Sequence, residues 1–308
     1  MINSEQVLAK DLKQMIIDRS ETLMNRNQGF AEGLDEIGGL LSRYDPAPSP
    51  IINAVDQKGQ DFATYFFATY CGTHDFEKSM LVYRTVKSLV RYILLMDRFY
   101  EVGNKKYERI ARGLLLSIKK AHEGHLKYSI DFALKQFWPF WDFEQLVKKQ
   151  IMNGHIFLGK ELQHFNLFKS SDAPIIYARV LDNELQNFNP NIATVMHYNQ
   201  ALQDIQDDFE DIEEDLQEKM PNIFILAATE YGLTSKLMKN PNQARKLVLY
   251  SGAVNSVISI IEHYNMLVND ISVPQSYLFL KDLSKDYINR LLSILSISTS
   301  HATWHTTA

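Results

Sequence analysis

The sequence predicts an all-α protein. Glycine (13) and proline (9) are scarce for 308 residues and fall where they punctuate rather than spread. Between them apolar residues recur at three- and four-residue spacing, and the strict alternation of a half-buried strand is rare. With 45% hydrophobic and 22% charged residues the chain can bury a sizeable core. No low-complexity linker divides it and no repeat period stands out, so one large helical bundle over 1–308 is the simplest architecture.

The helical pattern runs over 4–26, 50–70, 74–102, 105–122, 143–167, 173–187, 190–219, 221–231, 241–269 and 275–297. The second begins at Ser49-Pro50, a capping side chain before a proline at the first helical position; its FATYFFATY stretch (62–70) reads as a buried face. In 74–102 an apolar stripe of Val82, Val86, Leu89 and Ile93 opposes Arg84, Lys87, Arg91 and Arg98, which read as solvated. FWPFW (137–141) precedes the next helix; its proline reads as a packed corner, with a cavity wall facing a carbocation as the alternative. Gly154 and Gly159 mark a candidate break inside 143–167. Ser171 or Asp172 caps the helix containing Pro174, while Asn189-Pro190 and Asn240-Pro241 start two of the later helices.

Composition excludes several classes. The net charge is -5 and no Lys/Arg-rich block appears, which argues against a nucleic-acid partner. A single cysteine, Cys71, permits no intramolecular disulfide and no zinc knuckle, as expected in a reducing cytoplasm. The opening MINSEQVLAKDLKQMIIDRS is charged throughout, unlike a signal peptide, and no apolar run is long enough to span a bilayer. A soluble cytoplasmic protein is the expectation, and a homodimer is compatible with it. His155, His164, His197 and His263 lack metal-binding spacing, and no phosphate-binding glycine loop or nucleophile elbow is present.

The most informative stretch is ALQDIQDDFEDIEEDLQEK (201–219). On a helix turning about 100° per residue, Leu202, Ile205, Phe209, Ile212 and Leu216 fill an arc of roughly 80°, a core-facing stripe. Asp204, Asp208, Asp211 and Asp215 occupy an arc of roughly 60° beside it. Glu210, Glu213, Glu214 and Glu218 lie elsewhere, with Asp207 between the groups. Glu is the better helix former, so a merely solvated face would be expected to use it throughout. Short carboxylates stacked beside a buried stripe repel one another and call for a cation. Hard oxygen donors suit Mg²⁺, which takes one or two carboxylates and leaves its other positions to water and substrate phosphate. The alternative is an acidic face that docks a basic partner.

Gln206-Asp207-Asp208-Phe209-Glu210-Asp211 resembles the second aspartate-rich motif, DDxxD, of the class I isoprenoid synthases: terpene synthases, trans-prenyltransferases and squalene/phytoene synthases. Asp207, Asp211 and Asp215 also resemble the i, i+4, i+8 metal triads of terpene cyclases. The resemblance is specific over roughly 165–230 and architectural elsewhere. It implies an all-α bundle around a central apolar cavity, Mg²⁺ and a prenyl diphosphate substrate. Metal ligands would come from Asp204, Asp207, Asp208, Asp211 and Asp215, with Asp207 and Asp211 essential to catalysis.

The family's first acidic motif would fall in LLMDRFYEVGN (94–104), as an Asp97/Glu101 pair of metal ligands, Asp97 also catalytic, rather than a full DDxxD. Its alternative is a helix-end Asp97 paired with a base, and His74-Asp75 is a weaker location. Lys169 in FKSSD resembles the diphosphate-binding lysine of prenyltransferases; Lys219 and, more weakly, Arg179 are further diphosphate candidates. The thin first motif favours a terpene synthase that ionises one substrate and cyclises or eliminates. A chain-elongating or head-to-head prenyltransferase is the alternative within the family, and a non-catalytic helical protein with an acidic docking face is the alternative outside it.

Overall fold

The computed structural model describes residues 4–24, 30–47, 49–50, 52–54, 63–64, 66–68, 75–121, 125–177 and 189–302. Among these, the regular elements are helical and no strand occurs. No described helix is long and apolar enough to cross a membrane. The chain groups into two compact units, one of 1–137, 175–189 and 274–283, the other of 138–174, 190–273 and 284–308.

In the first unit, α1 (Ser4–Met24) packs on α2 (Phe30–Tyr44) through Leu12, Ile16 and Leu23 on one and Leu34, Ile37 and Leu41 on the other, all buried. α2 lies outside every sequence-predicted span, because three glycines within FAEGLDEIGGLLSRY dilute its helical signal. Its apolar positions still repeat at three and four, and burying that face decides the matter.

The next helix, α3 (Phe76–Val102), starts where the Asp75 carboxylate accepts the Lys78 N–H at 2.9 Å. It stops at Gly103, whose φ of +69° suits a residue without a Cβ. α4 (Lys105–Ala121) follows at once and packs against α3. Val82, Val86 and Leu89 are buried as expected, but the core face continues through Tyr92, Leu95 and Met96, leaving Ile93 and Asp97 half-buried. Lys87 corrects the sequence reading: it is 6% exposed, not solvated. Its Nζ donates to the Asp45 carbonyl at 3.0 Å and lies over the Tyr83 ring, and Asp45 also pairs with Arg84 at 3.1 Å. Phe66 and Phe67 are fully buried, in keeping with the face expected for 62–70.

The second unit contains the acidic helix. α5 (His125–Met152) carries Pro139 inside it, so the corner expected at FWPFW is continuous helix. Trp138 and Trp141 stack edge to face there, with Trp141 buried. The chain then breaks where Gly154 adopts φ +77°, and resumes as α6 (Gly159–Lys169) and the short α7 (Asp172–Ile176). Next come α8 (Pro190–Glu210) and α9 (Ile212–Glu218), then α10 (Ile223–Glu230) and α11 (Thr234–Lys239). α12 (Ala244–Tyr250) and α13 (Ala253–Asp270) are separated at Gly252, φ +85°, where a continuous 241–269 helix was expected. The last is α14 (Leu278–Ala302).

α10 is the centre of this unit. Every residue from Ile223 to Thr229 is buried, the pattern of a helix surrounded on all sides. It packs on α6, α8, α12 and α13. Leu202, Ile205, Phe209, Ile212 and Leu216, the stripe read from the acidic stretch, join the same core. That stripe fixes which way the neighbouring carboxylates face.

Candidate functional site

The acidic stretch is two helices rather than one. α8 ends at Glu210 and α9 begins at Ile212, with a bend at Asp211 (φ -103°, ψ 10°). The backbone ladder persists across it, Asp211 N–H to Asp207 O at 2.9 Å and Asp215 N–H to Asp211 O at 2.8 Å. Arg245 of α12 holds the bend from outside. Its Nη2 donates to the Glu210 carbonyl at 2.5 Å and pairs with Glu213 at 2.9 Å, and its guanidinium lies over the Phe209 ring.

Inside the bend the carboxylates divide by role. Asp208 is 2% exposed. One of its oxygens accepts from Lys169 Nζ at 2.8 Å and the other from the Ile223 N–H at 2.8 Å, in the first turn of α10. It is therefore both the counterion of a lysine and an acceptor at a helix N-terminus, where negative charge is favoured. Asn222 completes this junction. Its Oδ1 caps α10 by accepting from Phe224 N–H at 2.9 Å, while its Nδ2 donates to Asp208 O at 2.5 Å and to Asp215 at 2.8 Å.

Asp204 faces α6 through Ser170 Oγ at 2.5 Å and accepts from Gln200 Nε2 at 2.7 Å. The Ser170 hydroxyl also reaches the Asn166 carbonyl at 2.7 Å and has only one proton to give. Burial pushes the Asp204 carboxyl above its ordinary value, against the pull of Lys169 and of the hydrogen bonds from Ser170 and Gln200.

Lys169 carries the compensating charge. Burial works against its ammonium, but Asp208, Asp204 and Glu144 outweigh that and hold its pKa well above the ordinary lysine value. Asp207 and Asp215 are each pushed up to about 7, first by desolvation and then by neighbouring carboxylates, Asp204 and Asp208 respectively. Asp207 nevertheless reaches water, as does Asp211, and these two face outward one helical turn apart.

The structure thus brings Lys169, Asp204, Asp208 and Asp215 together and leaves Asp207, on α8, and Asp211, at the bend, exposed to water. Among the described residues no group of three or more His, Cys, Asp or Glu side chains is placed to hold a metal ion. The two water-exposed aspartates of the stretch are Asp207 and Asp211, and Mg²⁺ takes one or two carboxylates beside water and phosphate. Asp208 and Asp204 are already engaged. Lys219 stands apart from the cluster: it caps α9 with φ +60°, is exposed, and lines an apolar pocket with Lys148. Asp97 and Glu101 lie on α3 in the first unit, with Asp97 half-buried and the Glu101 side chain outside the described residues. Arg179 and His74 also lie outside them.

Sequence reasoning missed Asn222, Ser170, Gln200 and Arg245. Asn222 had a local signal, an Asn two residues after Met220 and just before the apolar run 223–228. Gln200 had one too, its i,i+4 spacing to Asp204 on one helix, whereas Ser170 and Arg245 are joined to the acidic stretch by tertiary packing alone. No protein-family model, curated protein or solved structure matches this chain.

Proposed function

We propose that the chain is a Mg²⁺-dependent enzyme of the class I isoprenoid-synthase type that ionises a prenyl diphosphate, with terpene formation by cyclisation or elimination as the leading outcome. One observation carries this reading. In Asp207-Asp208-x-x-Asp211 the middle carboxylate is tied inward to Lys169 and α10, while the flanking two project to water from a bent, rigidly anchored helix. A motif divided in that way has a built support and two water-exposed carboxylates of the hard-oxygen type. A divalent ion held there would neutralise the charge that gathers on diphosphate as the C–O bond breaks.

The chain's own residues would supply the rest. Asp207 and Asp211 hold the donor pair one turn apart. Asp208 and Asn222 fix the helix so that pair cannot drift, and Arg245 pins the bend from the other side. Lys169 brings a permanent positive charge to the same region, able to favour an anionic leaving group. An apolar chamber for the allylic cation belongs to this reading too.

The test is pyrophosphate release from geranyl, farnesyl and geranylgeranyl diphosphates, with and without Mg²⁺ and with and without isopentenyl diphosphate. Mg²⁺-dependent release without isopentenyl diphosphate supports a terpene synthase; an absolute need for it indicates chain elongation. No release from any substrate refutes the enzymatic reading.

A second reading is favoured by the Lys169–Asp208 pair. A lysine already neutralises the buried acids, and Ser170, Gln200 and Asn222 account for short side chains at 204, 208 and 215 without a metal. On this reading the exposed Asp207, Glu210, Asp211 and Glu214 form an acidic face that docks a basic protein. It predicts salt-sensitive association with that partner and no thermal shift with Mg²⁺ plus pyrophosphate.

A further inference from the structure

Away from the acidic cluster, the second unit has an apolar pocket of about 200 Å³. Its floor is Ile151 of α5, Leu216 of α9 and Ile225 of α10, all buried. Met238 of α11 and Met152 at the end of α5, 42% and 70% exposed, form part of its rim; methionines adapt their shape to what they meet. An engineered apolar cavity of about 150 Å³ accepts benzene, so this one holds an aromatic ring or a short alkyl chain.

Two cations line these greasy walls, Lys148 and Lys219. Their aliphatic stems suit the apolar surface and their ammonium groups belong at the water side. Lys148 Nζ has one weak contact, the Glu218 carbonyl at 3.5 Å. Lys219 makes no side-chain hydrogen bond or ion pair among the described residues, and Asp204, Asp207 and Asp215 feel Lys169 instead.

The backbone at Lys219 is a second, independent observation. It is the one non-glycine residue with positive φ among those described, at a helix C-cap where Gly or Asn is usual. Its N–H bonds to the Asp215 carbonyl, as does that of Met220 at 2.7 Å, so the strained turn is locked. Glycine would relieve the strain and remove the second cation from the pocket. Strain held by its surroundings beside a concave apolar surface points to a ligand.

We propose that this pocket binds an amphipathic monocarboxylate, its short apolar end between Leu216, Ile225 and Met238 and its carboxylate between Lys148 and Lys219. The carboxylate supplies the charge that the two lysines lack, and the apolar end covers surface now open to water. The site is independent of the diphosphate reading above.

Octanoate is the probe, with octanol and acetate as controls, followed through the ¹³C-labelled methionine methyl signals of the full chain. Saturable octanoate shifts at Met152 and Met238 are expected, with octanol and acetate each at least about fivefold weaker. Lys219→Gln should weaken octanoate about fivefold with the thermal midpoint unchanged, and Met238→Trp, filling the pocket, should abolish it. Octanol binding as tightly as octanoate, or Lys219→Gln binding as well as the parent, overturns the proposal. So does displacement of octanoate by Mg²⁺-pyrophosphate, which would make the pocket part of a diphosphate site. Retention of octanoate beside Mg²⁺-pyrophosphate supports it.

Discussion

Replacing Lys169 by methionine removes a charge and keeps most of the side-chain volume. Asp208 is left 3% exposed with the Ile223 N–H as its remaining partner, and Asp204 close by. Opposite charges about 4 Å apart attract by about 4 kcal/mol at the effective dielectric of such sites. Orphaning one member of a buried pair costs about 3–5 kcal/mol. Lys169→Met should therefore lower unfolding free energy by about 3–4 kcal/mol at pH 8.

The converse change is milder. Asp208→Asn keeps an oxygen for the Ile223 N–H, and Lys169 keeps Asp204 and Glu144, so about 1–2 kcal/mol is expected. With both replaced, the double variant should recover about 2 kcal/mol relative to additivity. Urea unfolding with linear extrapolation measures all three. A Lys169→Met cost below about 1 kcal/mol, or one no larger than that of Asp208→Asn, refutes Lys169 as the counterion of this bend.

Asp215→Asn should stabilise the chain by about 1–2 kcal/mol at pH 8. Its folded-state carboxyl is raised from 3.8 to about 7, so its ionisation opposes folding above pH 7. That penalty is relieved as pH falls from 7 toward 3.8, and the gain of the variant should fade across the same window, read by urea unfolding at stepped pH. Arg245→Met frees the Glu210 carbonyl and Glu213; it should cost about 2 kcal/mol and speed amide hydrogen exchange at 211–214 above that of distant helices.

How far the sequence could be read depends on the range of the interactions involved. The stripe of Leu202, Ile205, Phe209, Ile212 and Leu216 was legible because its periodicity is local, and all five are buried. The helical class followed from many such stripes. α2 and the first half of α5 escaped because glycines in one and Pro139 in the other lower local propensity, while tertiary packing, including buried Phe137 and Trp141, outweighs it. The bend at Asp211 has no glycine or proline to announce it.

The candidate site divides in the same way. That short carboxylates beside a buried stripe need a cation was legible. The structure answers part of that need with Lys169, 39 residues from Asp208. Lys169 had been singled out for phosphate, Asp208 for metal; that they meet each other depends on how α6 packs on α8. Lys87 shows the same limit, buried against Asp45 from 42 residues away.

The central claim is that Asp207 and Asp211, held outward by an anchored bend, bind the ion that activates a prenyl diphosphate. The most direct measurement is Mg²⁺-dependent pyrophosphate release by the parent chain, Asp207→Ala and Asp211→Ala, each checked by thermal melting. Both positions are exposed, so neither variant should lose more than about 0.5 kcal/mol of stability, while release falls at least about a hundredfold. Turnover equal to the parent in both variants would contradict the account.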